Sequence, residues 1–254
     1  MTKAEWLACE DPSRMLEYAK GCISDRKLRL FACACVRQIW GLLTDERGKQ
    51  AVLAGEYYAD GLITKAELTV AKDAAGGAAG GAARDAAWVA VWDAASAAAR
   101  AAVSAAVWSA TGGVARNAAR DAAWDAARDA ARSKQADLLR DITGNPWQSV
   151  RIPRQLITAD ILSLAQAAYD NISDDGSLDS VRSAILADAL EEAGCAEGRI
   201  LLHLRSVCEY CEGDGCFRVP RLGCVACRRC NGTGRMGSPH VRGCWALDLV
   251  LGKE

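Results

Sequence analysis

Apolar residues in the first part of the chain recur at the spacing of amphipathic helices. The clearest example is residues 25–43, DRKLRLFACACVRQIWGLL. Its apolar positions at three- and four-residue intervals are Leu28, Phe31, Ala32, Cys35 and Ile39. These positions share one face of a helix, which Ser24 or Asp25 starts. The pattern predicts an amphipathic helix here.

Capping signals mark the starts of several more helices. Thr2 and Thr64 each open a capping box, because a glutamate follows three residues later. Asp11 precedes a proline at the first helical position, and Thr44-Asp45 is a further cap. We therefore expect short helices throughout residues 1–75 and no strand.

Residues 82–132 follow a four-residue rule in which two small residues precede Arg, Trp or Ser. Alanine favours helix strongly, but a period of four advances by roughly 40° per repeat on a 3.6-residue helix. The tryptophans of the repeat therefore point in different directions. They are Trp88, Trp92, Trp108 and Trp124. Thr111-Gly112-Gly113 offers a break, which predicts a hairpin of two Ala-rich helices. A low-complexity expansion without a purpose is the alternative.

Two more helices are predicted after the turn residues 143–147. Thr158 is expected to cap the first, ADILSLAQAAYDN, and Ser177 the second, which Gly194 ends. A shorter helix from Glu197 to Arg205 follows, and CWALDLVLG closes the chain as a last helix.

Composition limits the function classes. The chain has 254 residues and a formal net charge of −1, so no global charge indicates nucleic acid or an anionic membrane as partner. Its N-terminus lacks a basic segment followed by an apolar one, and no run of about eighteen residues is apolar without charge. We expect a soluble cytoplasmic protein without a signal peptide or a membrane span.

The twelve cysteines fall into two groups. Six lie within residues 208–230, and the other six are scattered through helix-like segments. The scattered ones are Cys9, Cys22, Cys33, Cys35, Cys195 and Cys244. A cysteine on an apolar helix face is usually a small buried hydrophobe, so we expect no disulfide framework.

The clustered cysteines form the most specific motif of the chain. CEYCEGDG and CRRCNGTG, residues 208–215 and 227–234, share the pattern Cys-x-x-Cys-x-Gly-x-Gly. The ligands predicted for one zinc ion per chain are Cys208, Cys211, Cys227 and Cys230, whose spacing is typical of a structural zinc site. Glycine permits the backbone turn that points amide N–H groups at the sulfurs.

Three alternatives remain open for these cysteines. Two redox dithiols or an iron–sulfur cluster use the same residue type. Cys224 and Cys227 form another Cys-x-x-Cys pair, and Cys216 lies nearby. We prefer Cys227 with Cys230 because only that pair carries the trailing Gly-x-Gly.

Residues 208–234 resemble the cysteine-rich zinc domain of DnaJ-type chaperones. That domain has four such repeats and two zinc ions, so the two repeats here imply one zinc. The chain lacks the His-Pro-Asp tripeptide of a J domain. The resemblance therefore does not imply action on an Hsp70-type partner.

Most of the remaining chain resembles a paralogous family of uncharacterised bacterial proteins. The resemblance rests on segments near both ends, among them MTKAEWLACEDPSRMLEYAKG, SDRKLRLFACACVRQIW, LLRDITGNPW, LADALEEAGC and GSPHVRGCWALDLVLGKE. Members share an Ala-rich variable middle and the closing His-Val-Arg-Gly-Cys-Trp segment. The resemblance implies an expanded bacterial family and carries no established activity.

Together these patterns predict an all-α fold: a helical bundle with a long Ala-rich helical hairpin and an inserted small zinc-binding module. Five regions follow. They are the N-terminal helical region 1–75, the Ala-rich hairpin 76–142, the C-terminal helices 143–205, the zinc module 206–238 and the closing helix 239–254.

Catalysis has little support in the sequence. His203 and His240 are the only histidines, and phosphate-binding loops and metalloprotease or hydrolase motifs are absent from the sequence. Cys244 and His240 are conceivable as a nucleophile and its base. We expect no catalytic residue and a protein that is not an enzyme.

Nucleic acid is the alternative partner. Residues 205–242 hold seven arginines against three acidic residues, a local balance of +4. The candidate contacts in and beside the zinc module are Arg218, Arg221, Arg228, Arg229 and Arg235, with Tyr210 and Phe217 as stacking residues.

The first choice is a non-enzymatic, zinc-stabilised protein-interaction or scaffold protein whose partner is another protein or a second copy of itself. Candidate contacts for that partner are the four tryptophans of the repeat. Binding of single-stranded RNA or DNA through the Arg-rich zinc knuckle is the second choice.

Overall fold

The described part of the chain is mostly helical. The computed structural model describes residues 1–19, 21–38, 40–42, 46–74, 114–147, 150–208, 211–219, 223–227, 230, 232–235 and 240–253. Its α-helices are α1 (Lys3–Ala8), α2 (Pro12–Tyr18), α3 (Asp25–Arg37), α4 (Glu46–Ala59), α5 (Lys65–Ala74), α6 (Val114–Thr143), α7 (Ala159–Asp170), α8 (Ser180–Glu192), α9 (Gly198–Leu204) and α10 (Trp245–Leu251). Short 3-10 turns cover Trp40–Leu42 and Arg154–Leu156. The expected helical class is confirmed.

One antiparallel hairpin departs from that expectation. β1 (Cys216–Val219) pairs with β2 (Gly223–Ala226), and Phe217 lies opposite Val225. The all-α fold predicted from the sequence includes no strand, so the prediction was wrong for this segment. Four-residue strands are too short to show an alternating pattern in the sequence.

The predicted caps are largely confirmed. The Glu5 N–H donates to Thr2 Oγ1 at 3.2 Å, and the Thr2 N–H donates to Glu5 Oε2 at 2.7 Å. The Thr64 box closes in the same way. The side chains of three further predicted residues accept from backbone N–H groups of the first turn: Asp11, Ser24 and Thr158. The predicted cap Thr44-Asp45 lies outside the described residues.

Ser177 is not the cap of α8. Asp179 takes that place and accepts from the Val181 and Arg182 N–H groups. The Ser177 hydroxyl instead donates to Asp175 Oδ1 at 2.6 Å, and Ser177 forms a backbone bridge with Val241. Ser177 therefore belongs to the turn before the helix.

The chain divides into two compact units. One comprises Cys9–Leu139, where α4 packs against both α3 and α5. We call the other, Met1–Ala8 with Arg140–Glu254, the C-terminal unit. Helices α7 to α10 form its core, whose fully buried side chains include Tyr169, Leu186, Leu190, Ile200, Leu204 and Leu247.

Helix α1 belongs to the C-terminal unit although it is first in the chain. Trp6 is fully buried, and its ring lies 5.9 Å from that of Trp147. Arg140 Nη1 donates to the Trp6 carbonyl at 3.0 Å. These contacts join the N-terminal helix to residues 134 and 141 positions later in the sequence.

The predicted Ala-rich hairpin is described only in part. Residues 75–113 lie outside the described residues, and with them Trp88, Trp92, Trp108 and the predicted break at 111–113. The described helix α6 runs for 30 residues from Val114 to Thr143. Its residue Trp124 is helical, but the Trp124 side chain lies outside the described part.

None of the described helices is both long enough and apolar enough to cross a membrane.

Candidate metal centre

The sulfur atoms of four cysteines converge between the two halves of the zinc module. Cys208 Sγ lies 4.0 Å from Cys227 Sγ, and Cys211 Sγ lies 3.7 Å from Cys230 Sγ. All four sulfurs lie within 4.8 Å of one another, and all four residues are buried. Zn–S bonds of about 2.3 Å at tetrahedral angles give S···S distances of about 3.8 Å. The arrangement fits one ion of this size.

Backbone amides complete the surroundings of the sulfurs. The Gly215 N–H donates to Cys211 Sγ at 3.3 Å, and the Gly234 N–H donates to Cys230 Sγ at 3.2 Å. Such bonds orient thiolates and stabilise their negative charge. The two knuckles therefore present matching sulfur environments.

The repeated glycines are required by close approach as well as by conformation. Gly215 and Gly234 have φ angles of +73° and +72°. A Cβ at Gly215 would lie 2.4 Å from the Gly232 carbonyl oxygen, and one at Gly234 would lie 2.1 Å from that of Gly213. No side chain fits there, so the two knuckles pack backbone against backbone.

Cys216 and Cys224 do not contribute to the sulfur cluster. They form a disulfide across the β1–β2 hairpin, with their Cα atoms 5.8 Å apart. The Cys227 N–H donates to the Gly215 carbonyl at 2.7 Å, which joins the hairpin to the first knuckle. The alternative pair of Cys224 with Cys227 is therefore not the one that faces Cys208 and Cys211.

The thiols differ in their readiness to ionise. Burial alone would raise the pKa of Cys230, but the Gly234 N–H and the neighbouring sulfurs lower it to about 7. Burial dominates at Cys211 and raises the pKa of that thiol. A thiolate at Cys230 is the form that a metal ion binds.

Hydrogen bonds join the chain segments where the module begins and ends. Val207 and Arg235 form an antiparallel bridge, and the Cys208 N–H donates to the Gly234 carbonyl at 2.9 Å. The first and last described segments of the module are thus hydrogen-bonded to each other.

The arginines proposed as nucleic-acid contacts are in different situations. Arg218 and Arg235 are exposed, whereas Arg221, Arg228 and Arg229 lie outside the described residues, as does Tyr210. Phe217 packs against the sulfur cluster.

Two other arginines of that segment are engaged within the fold. Arg205 forms ion pairs with Asp188 and Glu191, and Arg242 is buried with its guanidinium 5.2 Å from the centre of the Tyr169 ring. Five of the seven arginines then remain against three acidic residues, a balance of +2 instead of +4.

The scattered cysteines follow the expected pattern in part. Cys33, Cys35 and Cys195 are buried, as predicted for small hydrophobes. Cys22 is exposed, so the prediction was wrong there, because Cys22 lies in the turn after α2 rather than on a helix face.

Cys244 is buried among polar groups, in a second cluster within the C-terminal unit. We call Asp141, His203, His240 and Cys244 the Asp-His-His-Cys cluster; one oxygen, nitrogen or sulfur atom of each lies within 4.8 Å of the others. Asp141 Oδ1 lies 2.8 Å from His240 Nδ1 and 3.1 Å from His203 Nε2. Cys244 Sγ lies 3.3 Å from His203 Nε2 and 3.7 Å from His240 Nδ1.

Local structure explains how the cluster forms. Asp141 lies in the last turn of α6, and His203 lies near the end of α9. The Cys244 N–H donates to the Val241 carbonyl at 2.9 Å, closing a turn in which Gly243 has a φ of +89°. A type II turn requires such a residue at this position, and the turn returns Cys244 to His240.

Charge interactions shift the ionisation of this cluster. Burial alone would raise the pKa of Asp141, but the neighbouring histidines hold it well below its usual range. Burial alone would lower the pKa of His240, yet the charges of Cys244 and Asp141 raise it to about 9. The pKa of Cys244 is lowered by the two histidines against the effect of burial.

The sequence analysis paired His240 with Cys244 but missed His203 and Asp141. The four-residue spacing of His240 and Cys244 resembles the spacing of metal-ligand pairs and was an available signal. Asp141 lies 99 residues before His240, and only the tertiary fold brings them together.

Comparison with protein-family models, with curated proteins and with solved structures found no match for this chain.

Proposed function

We propose that the protein is a non-enzymatic interaction or scaffold protein whose small module is stabilised by one zinc ion. Cys208, Cys211, Cys227 and Cys230 would hold that ion. The partner is another protein or a second copy of the chain.

The closed, buried set of four thiols is the observation that carries this proposal. A structural zinc site uses four protein ligands, whereas a catalytic one leaves a position open for water or substrate. The four cysteines are at most 6% exposed, so a substrate has no route to the metal position in this arrangement. A zinc ion there would stabilise the module and carry out no chemistry.

The sulfur geometry also favours one zinc ion over the alternatives. A cluster of several iron and sulfide ions needs its four thiolates spread more widely than here, where all four sulfurs lie within 4.8 Å of one another. A redox dithiol with a lowered pKa usually lies at a helix N-terminus, whereas Cys208 and Cys227 precede tight glycine turns. Chelation of one ion uses all four sulfurs.

Apolar surface supports the binding role. Val181 and Ile185 lie one turn apart on α8 and are 65% and 48% exposed. The four tryptophans of the Ala-rich region would add a larger surface, because each can bury on the order of 150–250 Å² in a contact. Exposed apolar groups arranged together are typical of protein interaction sites.

Metal content tests the zinc module. Cys211→Ser should lower the zinc content by one equivalent per chain and unfold only the module, because the helices of the C-terminal unit have their own apolar core. Zinc is measured in protein purified without added metal, and helix content by circular dichroism.

The matched control replaces the other two cysteines of the same module. Cys216→Ser with Cys224→Ser removes the hairpin disulfide and should leave the zinc content unchanged. Zinc retained by Cys211→Ser, or iron in place of zinc, would contradict the assignment.

Light scattering and fluorescence quenching test the interaction role. We expect a mass that rises with protein concentration, and a loss of quenchable emission when at least one of Trp88, Trp92, Trp108 and Trp124 is replaced by phenylalanine. Trp6→Phe is the control, because Trp6 is fully buried. A strictly monomeric chain in which all four tryptophans are shielded would remove the support for self-association through this region.

A further inference from the structure

The Asp-His-His-Cys cluster has a geometry that ordinary hydrogen bonding does not explain well. One ring nitrogen of each histidine faces both the Asp141 carboxylate and the Cys244 sulfur. A ring N–H donates well to only one acceptor at a time. Each of the two ring nitrogens faces two acceptors, so one of the two contacts is left without a good hydrogen bond. Four atoms that converge in this way are suited to share a single cation.

The distances are close to those of a tetrahedral zinc site. Zn–N, Zn–O and Zn–S bond lengths give N···O edges of about 3.4 Å and N···S edges of about 3.6 Å. The N···O distances here are 2.8 and 3.1 Å, and the N···S distances are 3.3 and 3.7 Å. Changes of up to about 0.6 Å in these distances convert one arrangement into the other.

Charge and burial also fit a divalent ion. The side chains of Asp141, His203 and His240 are 7%, 15% and 3% exposed, and Cys244 is fully buried. A carboxylate and a thiolate together carry two negative charges, which one Zn²⁺ balances while the imidazoles stay neutral. A buried site with no net charge avoids most of the cost of burying ions. We propose that Asp141, His203, His240 and Cys244 bind a second zinc ion, separate from the four-cysteine module.

Neighbouring groups orient two of the ligands toward that position. The Val241 N–H donates to Asp141 Oδ2 at 2.9 Å, which leaves Oδ1 for the metal. Ser206 Oγ lies 3.3 Å from His240 Nε2, which leaves Nδ1 for the metal. Hydrogen bonds of this kind fix the tautomer and orientation of metal ligands.

Ser206 holds this place at a conformational cost. Its N–H donates to the His203 carbonyl and the Val207 N–H donates to the Leu202 carbonyl, the two bonds of a Schellman motif at the end of α9. Its φ of 54° is one that glycine adopts more readily. Serine in this position keeps the hydroxyl group beside His240.

This second zinc ion would hold together the two chain segments that flank the zinc module. His203 precedes the module, and His240 and Cys244 follow it, so ligands from both sides of the module in the sequence meet at one ion. Asp141 attaches that point to the end of α6. Cys244 is fully buried and His240 is 3% exposed, which argues against Cys244 as a nucleophile with His240 as its base.

Zinc content of chains that lack the module site tests the proposal. Wild-type protein should contain about two zinc ions per chain, and Cys211→Ser with Cys230→Ser should retain about one. In that double variant, Asp141→Asn and Cys244→Ser should each remove the remaining ion. Cys195→Ser is the matched control, because Cys195 is buried in the core of the same unit, and it should keep the ion.

Ser206→Gly separates metal binding from folding. Glycine suits the backbone at this position, so the thermal midpoint of the metal-free chain should not fall. Loss of the hydroxyl should weaken zinc affinity by about 10- to 100-fold in competition with a chelator. Unchanged zinc affinity in Ser206→Gly would show that the hydroxyl does not position His240 for a metal.

Several results would overturn the second site. One is a wild-type protein that contains a single zinc ion and loses it in Cys211→Ser. This result would not require any variant of the Asp-His-His-Cys cluster. Another is zinc that survives both Asp141→Asn and Cys244→Ser in folded protein. Iron or copper in place of zinc would overturn the assignment of the metal. A single ion that survives Cys211→Ser but is lost in Cys244→Ser would instead support this site and contradict the module site.

Discussion

Arg37 and Glu56 form a bidentate ion pair inside the Cys9–Leu139 unit. Arg37 Nε and Nη2 lie 2.5 and 2.8 Å from the two carboxylate oxygens, and the residues are only 6% and 3% exposed. The Arg37 guanidinium also lies 4.6 Å from the centre of the Trp40 ring. Each charge is desolvated, so each depends on the other for compensation.

Glu56→Gln is therefore expected to destabilise this unit by about 3–5 kcal/mol, because it removes the carboxylate charge that pairs with the buried Arg37 guanidinium. Urea unfolding followed by tryptophan fluorescence measures the change. The control is Glu46→Gln, which removes the exposed partner of Lys49 and should cost at most about 1 kcal/mol. Equal effects of the two substitutions would show that the buried pair has no special weight.

The residues that could be predicted from sequence are those whose chemistry is local. The four module cysteines have a spacing that alone specifies two knuckles, and the structure brings their sulfurs together. No local sequence pattern marks Asp141 as a site residue, because the residues around it indicate only the end of a helix. His203 likewise gains its role only from contacts with distant residues: Asp141 before it, and His240 and Cys244 after it.

At the scale of elements, helix starts were predictable where one side chain decides them. Thr2, Thr64 and Thr158 cap as expected because the hydrogen bond spans only three residues. The prediction that Ser177 caps a helix was wrong because its hydroxyl donates to Asp175 instead. The residue type alone does not reveal which of the two hydrogen bonds forms. The β1–β2 hairpin was not predicted, because its strands are short and the pairing of Cys216 with Cys224 is not evident from the sequence.

At the scale of the whole molecule, charge weighs against a nucleic-acid role. The formal net charge is −1, and two arginines near the module are engaged with Asp188, Glu191 and Tyr169. We expect weak binding of single-stranded RNA that salt removes easily. Strong binding by the module would give an affinity that falls steeply with salt, and Arg228→Ala with Arg229→Ala would flatten that slope.

Arg151→Ala with Arg154→Ala is the matched control, because both residues are exposed and lie outside the module. Affinity is measured by fluorescence anisotropy over a series of salt concentrations. Submicromolar binding at physiological salt that depends on Arg228 and Arg229, and not on the control pair, would make nucleic acid the preferred partner.

The contact of α1 with Arg140 and Trp147 has a consequence for biosynthesis. Trp6 and Arg140 are 134 residues apart. At roughly 5–20 residues per second, a ribosome needs about 7–27 s to make the intervening chain. During that interval the Trp6 indole has no native site to enter, because the residues that bury it have not yet been translated. The Cys9–Leu139 segment is synthesised before Trp147, so the nascent protein carries Trp6 without the ring that it contacts in the folded chain.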